Sequence, residues 1–168
     1  IVPSSGVAAA WAPRETVELP THVLLPGLVN AHAHSAMALL RGVADDLPLK
    51  AWLEDRIWPR EGRFVAPEFV FDGTLLACAE MLRGGVTCCN DMYFHPEAAA
   101  RAYEVAGMRA LLGVPILDFP TPYAADADAY LARGLAARDA FKHVRELTFA
   151  LAPHAPYTIG RASCRERV

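Results

Sequence analysis

Apolar residues along this chain fall into two kinds of run that alternate. One kind is short and continuous, and the other recurs at helical spacing. The first continuous run, from His22 to Ala31, predicts a buried strand. Ser35 is placed to cap a helix starting near Ala36. Met37, Leu40, Leu47, Leu49 and Trp52 form a broken apolar series, and Arg41 to Leu49, with Gly, Asp-Asp and Pro, predicts a loop between short helices. Pro67 opens a clearer helix, in which Phe71, Leu75, Cys78 and Leu82 are spaced 4, 3 and 4 apart on one face. Gly84-Gly85 closes it. A strand is predicted over Val86–Met92, and an Ala-rich helix over Pro96–Ala106, opened by Pro and closed by Gly107. Further strands are predicted over Arg109–Leu117 and Leu147–Ala152, with a helix over Asp126–Phe141 between them.

Strand and helix alternate, and the strands do not alternate apolar with polar residues. That pattern predicts an α/β fold with a parallel sheet covered by helices. Four strand units occupy Thr21 to Thr158, whereas a (β/α)8 barrel takes roughly 250 residues. Residues 21–158 are therefore expected to be the first half of a TIM-type barrel. A doubly wound sheet is the structural alternative, but no G-x-G-x-x-G or P-loop follows any strand. Residues 1–20 have no clear period and are either the remnant of a small N-terminal β-domain or a linker. Residues 159–168 abandon the apolar, Ala-rich style and match the in-frame translation of a sequencing-library adapter, so they are expected to be a non-native tail. The chain has no initiator Met and is expected to begin inside a longer protein.

With 54% hydrophobic and 21% charged residues, the composition is that of a globular core. The net charge of −3 becomes −5 without the tail's three Arg and one Glu, which argues against nucleic acid or an anionic membrane as partner. No apolar stretch is long enough to span a bilayer, and the first residues have no basic n-region. Cys78, Cys88, Cys89 and Cys164 form no C-x-x-C pair or disulfide framework. Cys88-Cys89, in an apolar strand-like run, reads as buried free thiols, which suits a reducing cytoplasm, and Cys164, in the tail, carries no meaning.

The chemistry is expected where the strands end. His32 and His34, two residues apart at the end of the first strand, leave it on the same face. Two adjacent imidazoles make half of a metal site, and the chemistry that follows is hydrolytic, with a metal-activated water as nucleophile. Asp91 and Tyr93 end the second strand, Asp118 the third and His154 the fourth. Asp91 reads as a helix cap or strand-end hydrogen-bond acceptor. His154, between prolines, reads equally well as a hydrogen-bonded turn residue or a site residue. By spacing alone Glu61 is a solvated carboxylate, and His22, His95 and His143 are structural. His95-Pro96-Glu97 matches the H-x-E half of the cytidine-deaminase zinc signature, but the P-C-x-x-C half is missing, which excludes that family.

Pro26-Gly27-Leu28-Val29-Asn30-Ala31-His32-Ala33-His34-Ser35, Leu39 to Leu47, Asp91-Met92-Tyr93-Phe94 and Ala152 to Thr158 together resemble the amidohydrolase superfamily. More narrowly, they are similar to the branch of 5′-methylthioadenosine/S-adenosylhomocysteine deaminases and related chlorohydrolases. The resemblance implies a (β/α)8 barrel with a small β-sandwich built from both chain ends, residues 1–20 being its last N-terminal piece. It implies one divalent metal, usually Zn2+, held by His32 and His34. The other metal ligands and the catalytic proton-transfer residues are expected beyond Thr158. Glu61 would bind substrate, through ribose hydroxyls, and His154 would hydrogen-bond substrate near the metal. The family's substrate-binding arginines have no secure match, and Val114 stands near a position where some members carry one. The implied reaction is hydrolytic deamination of an adenosine-type nucleoside to its inosine analogue and ammonia. The implied partner is a small-molecule nucleoside, and a homo-oligomer of the full-length protein is admitted. Guanine, cytosine or a chlorotriazine as substrate keeps the fold and changes the pocket. A non-catalytic fragment or binding module is the alternative of another class.

Overall fold

Four strands lie side by side in one parallel sheet, in the order β1 (Leu28–Ala33), β2 (Val86–Met92), β3 (Arg109–Ile116), β4 (Leu147–Pro153). A computed structural model describes residues 12, 14–155 and 158–159. Helices connect the strands. Between β1 and β2 run a 3-10 turn (Ser35–Leu40), then α1 (Leu49–Ala51), a π-helical segment (Trp52–Ile57), α2 (Trp58–Phe64) and α3 (Pro67–Arg83). One helix fills each later crossover: α4 (Pro96–Ala106) between β2 and β3, and α5 (Ala127–Phe141) between β3 and β4. Parallel strands require such crossovers, because the chain must return to the same end before each new strand. The register aligns the strand ends: Ala33 pairs with Asp91, Met92 with Gly113, and Ile116 with Pro153.

Local chemistry explains most boundaries. Pro stands in the first turn of α2, α3 and α4, where a missing N–H is tolerated. Asp126 caps α5 by accepting a hydrogen bond from the Ala129 N–H at 2.8 Å. Helices and sheet bury two contiguous cores. One holds Val70, Cys78, Cys89, Tyr103, Met108 and Leu112, and the other holds Val114, Ile116, Tyr123 and Tyr130 under α5. A fully buried side chain such as Val70 or Leu112 contributes roughly 1.5–3 kcal/mol. The helices come close at glycines. A methyl at Gly73 would meet the backbone carbonyl of Ala36 in the 3-10 turn, and one at Gly134 would meet the Val114 side chain.

Three expectations are corrected. β1 starts at Leu28, not His22. Pro26 has no N–H for a ladder, Leu24 and Leu25 are exposed, and Leu28 is the residue whose N–H reaches the Gly85 carbonyl at 2.8 Å. His32 therefore lies within β1, and His34 just past its end. Ser35 does not cap a helix with its side chain; it is the first residue of the 3-10 turn, and its hydroxyl goes elsewhere. Residues 49–64 form an almost continuous helical segment where the sequence shows only broken apolar spacing. Its π-wound stretch directly precedes Trp58-Pro59, where the proline breaks the usual ladder.

Of the expected N-terminal β-domain remnant, residues 1–11 and 13 lie outside the described residues; residues 12 and 14–20 contain no strand. Of the expected tail, only Ile159 is described, so Cys164 also lies outside. Cys78 and Cys89 are fully buried free thiols and Cys88 is half-buried. Burial, then the nearby Asp91 and Cys89, push the Cys78 thiol up to about 12, which leaves it unreactive. No helix among the described residues is long and apolar enough to cross a membrane.

Candidate functional site

The site is assembled at the ends of the strands, from the turns that follow them. His32, in β1, and His34, just past its end, come out side by side. Their ring centroids lie 4.9 Å apart, nearly perpendicular at 83°. His34 Nδ1 is 2.6 Å from the carbonyl of Met92, the last residue of β2. A carbonyl only accepts, so this nitrogen carries a proton, and in the neutral ring Nε2 keeps its lone pair. A bond of this kind fixes ring orientation and tautomer in metal-binding histidines.

A buried network holds the turn behind His34. Asp91, 1% exposed, accepts the Ser35 N–H at Oδ1 (2.9 Å) and the Tyr103 hydroxyl at Oδ2 (3.1 Å). The Ser35 hydroxyl lies 2.7 Å from Tyr103 Oη and donates to it, since the Tyr103 proton goes to Asp91. Burial raises the Asp91 pKa, and these bonds oppose the rise. Asp91 is thus the strand-end acceptor its position suggests. A lone tyrosine in the Ala-rich run of α4 is the sequence signal for its partner, because a buried phenol needs an acceptor.

A cavity of about 700 Å³ opens beside this network. His34, Glu61, Tyr93 and His154 line its polar part, and Trp52, Trp58 and Phe119 are among its apolar walls. His32 lines a second hollow of about 590 Å³, which shares His34 with the first and which the exposed Arg41–Glu80 ion pair (2.6 Å) borders. Glu61 is not the solvated carboxylate its spacing suggests. It is half-buried in α2 and accepts the Tyr93 hydroxyl at 2.7 Å. Burial raises its pKa, with the Tyr93 bond and the His34 charge acting the other way. His154 follows β4 directly, and its Nδ1 donates to Thr158 Oγ1 at 3.0 Å, while that hydroxyl donates to the Ala155 carbonyl, also at 3.0 Å. Burial, then the His34 charge, lowers the His154 pKa. Asp118 is exposed beyond β3, outside this cavity, with its N–H on the Thr158 carbonyl at 3.0 Å. His95, expected to be structural, lines the cavity as well. Among the described residues no group of three or more His, Cys, Asp or Glu converges as a complete metal site.

Residues 23–166 match the Amidohydrolase family. The chain belongs to the amidohydrolase family. Amidohydrolase relatives close in sequence include the 5-methylthioadenosine/S-adenosylhomocysteine deaminase of Saccharophagus degradans, 52% identical over 95% of this chain and 36% of the relative. The protein of the same name from Aquifex aeolicus is 50% identical over 81% of this chain and 32% of its own length. Among solved structures, an adenosine deaminase from Xanthomonas campestris with bound zinc superposes with a TM-score of 0.91 and 50% identity, covering 96% of this chain and 37% of that one. A guanine deaminase from E. coli, at 24% identity and a TM-score of 0.70, shares the fold. The chain spans about a third of the length of the relatives it matches. Its four-stranded parallel sheet is the N-terminal half of the amidohydrolase (β/α)8 barrel.

Proposed function

We propose that this chain is the opening part of a metal-dependent aminohydrolase that converts 5′-methylthioadenosine or S-adenosylhomocysteine to the inosine analogue and ammonia. One observation carries the reading: His32 and His34 stand edge to face at the mouth of a barrel half, beside a cavity that also holds Glu61 and His154. Identity of 50–52% to proteins named as deaminases of adenosine-type nucleosides supports the substrate class.

The donor set fits a divalent cation, zinc being the natural choice for imidazoles. His32 and His34 would hold it, His34 through Nε2, since Nδ1 is committed to Met92. Such a cation, when bound, supplies Lewis-acid activation of water. The remaining ligands and the proton-transfer residues are assigned to the part of the full-length protein beyond Thr158. Glu61 would accept ribose hydroxyls, with the Tyr93 hydroxyl fixing one carboxylate oxygen and so the direction of the other. His154 would meet the substrate near the cation through Nε2, its Nδ1 being turned to Thr158. Trp52, Trp58 and Phe119 would shield the nucleoside from water. The buried thiols fit a cytoplasmic enzyme.

The test is turnover by the full-length protein, read as ammonia release from methylthioadenosine, S-adenosylhomocysteine, guanine and cytosine and as chloride release from a chlorotriazine. The reading expects the adenosine thioethers to have the highest kcat/KM. A preference for guanine, cytosine or the triazine overturns the substrate class, and no turnover of any of them overturns the enzyme.

A further inference from the structure

His95 stands in a conformation that residues with a Cβ seldom adopt, at a place where a ligand would meet it. It precedes α4 with φ 54° and ψ 55°, in the left-handed region, one of two non-glycine residues with positive φ among the described residues. For a residue with a Cβ this backbone is strained, and strain of this kind is retained where the surroundings enforce it, often at binding sites. The surroundings here are specific. His95 Nδ1 lies 3.2 Å from Glu97 Oε1, and the ring packs edge-on against Tyr123 with centroids 4.9 Å apart. The side chain is 14% exposed, and what it lines is the cavity of His34, Glu61 and His154.

The Glu97 contact decides the chemistry of the ring. Glu97 is held below its usual pKa: burial would raise it, but the His95 bond and the charges of His95 and Arg133 outweigh burial. An ionised carboxylate accepts, so Nδ1 carries the proton. Nε2 is then the atom left for a ligand hydroxyl, which can donate to it in the neutral ring or accept from it in the charged one. Tyr123, 2% exposed, lines the same wall of the cavity and packs against the edge of the ring.

We propose that His95 is a nucleoside-binding residue, seated on Glu97 and Tyr123 so that Nε2 shares a hydrogen bond with a hydroxyl of the ligand. This rests on the nucleoside reading of the cavity given above. It adds a second hydrogen-bonding partner to Glu61 and gives the strained residue ahead of α4 a function.

His95→Asn and His95→Gly in the full-length protein test it. Both residues tolerate the left-handed backbone, so the fold is preserved while the imidazole is lost. Each variant should raise KM for methylthioadenosine about tenfold, the effect of one lost hydrogen bond, with kcat and bound zinc unchanged. The Kd of the inosine-analogue product, measured by calorimetry, should weaken equally. His95→Gly should also raise Tm by relieving strain. A Tm shift with KM and product Kd unchanged in both variants overturns the proposal and leaves His95 a structural cap. A wild-type protein that neither binds nor deaminates nucleosides overturns the nucleoside reading and this proposal together. Normal wild-type activity with unaffected variants overturns this proposal alone.

Discussion

Glu61 shows what a sequence conceals at the scale of one residue. Between Arg60 and Gly62, nothing in its spacing separates it from a surface carboxylate. Its role depends on Tyr93, thirty-two positions away, which folding brings to 2.7 Å. The burial that raises its pKa has a thermodynamic consequence. A folded-state pKa above the unfolded one means that the native state binds the proton more tightly, so stability falls as pH rises from the unfolded pKa through the folded one. At neutral pH the ionised, half-buried carboxylate is therefore a cost to the fold. Glu61→Gln, with an amide oxygen that still accepts from Tyr93, should raise Tm at pH 7. The gain should shrink at pH 4, near the unfolded pKa, where the carboxyl is mostly protonated in both states. The same variant should lose nucleoside affinity about tenfold. Thermal melts at the two pH values check the first claim, and equal Tm at pH 7 would refute it. The histidine pair, in contrast, was legible, because alternation along a strand places i and i+2 together whatever the exact strand boundary. The Met92 carbonyl that orients His34 was not, since a backbone acceptor leaves no mark in side-chain identity.

At the scale of elements, legibility tracked the strength of local signals. β2, β3, β4 and α3 to α5 lie where continuous apolar runs, leading prolines, closing glycines and the Asp126 cap place them, to within a residue or so. β1 and residues 49–64 departed because tertiary context decided them. The missing N–H of Pro26 delays β1, and a helical segment broken by Pro59 survives by packing Ile57 into the molecule, where it is 2% exposed. The seat of the 3-10 turn on α3 was also invisible, although it governs the site. Gly73 lets α3 approach the Ala36 carbonyl, two residues after His34. Gly73→Ala must push helix and turn apart, because a backbone carbonyl cannot yield as a flexible side chain can. The expected cost is about 1–3 kcal/mol, typical of overpacking in a tight core. Zinc affinity of the full-length protein should fall with it, because the displaced turn carries His34. Unchanged denaturation midpoint and zinc affinity would show that the contact is soft.

For the whole molecule, the half-barrel accounts for both the completeness and the incompleteness of the site. Parallel crossovers bring the turns after all four strands to one end of the sheet, so Glu61, Tyr93, His34 and His154 share a cavity although 93 positions separate Glu61 from His154. The same geometry leaves β1 and β4 each with one neighbour among the described residues, and apolar Leu28, Val29 and Leu151 exposed on them. Two imidazoles are likewise half of a tetrahedral donor set. On the proposed reading, further strands and metal ligands lie in the two thirds of the relatives' length that this chain does not span. The most direct measurement takes the full-length protein with His32→Ala and follows bound zinc and ammonia release from methylthioadenosine together. Loss of both, with the fold retained by circular dichroism, is the predicted result; full zinc occupancy and full turnover in that variant would contradict the account.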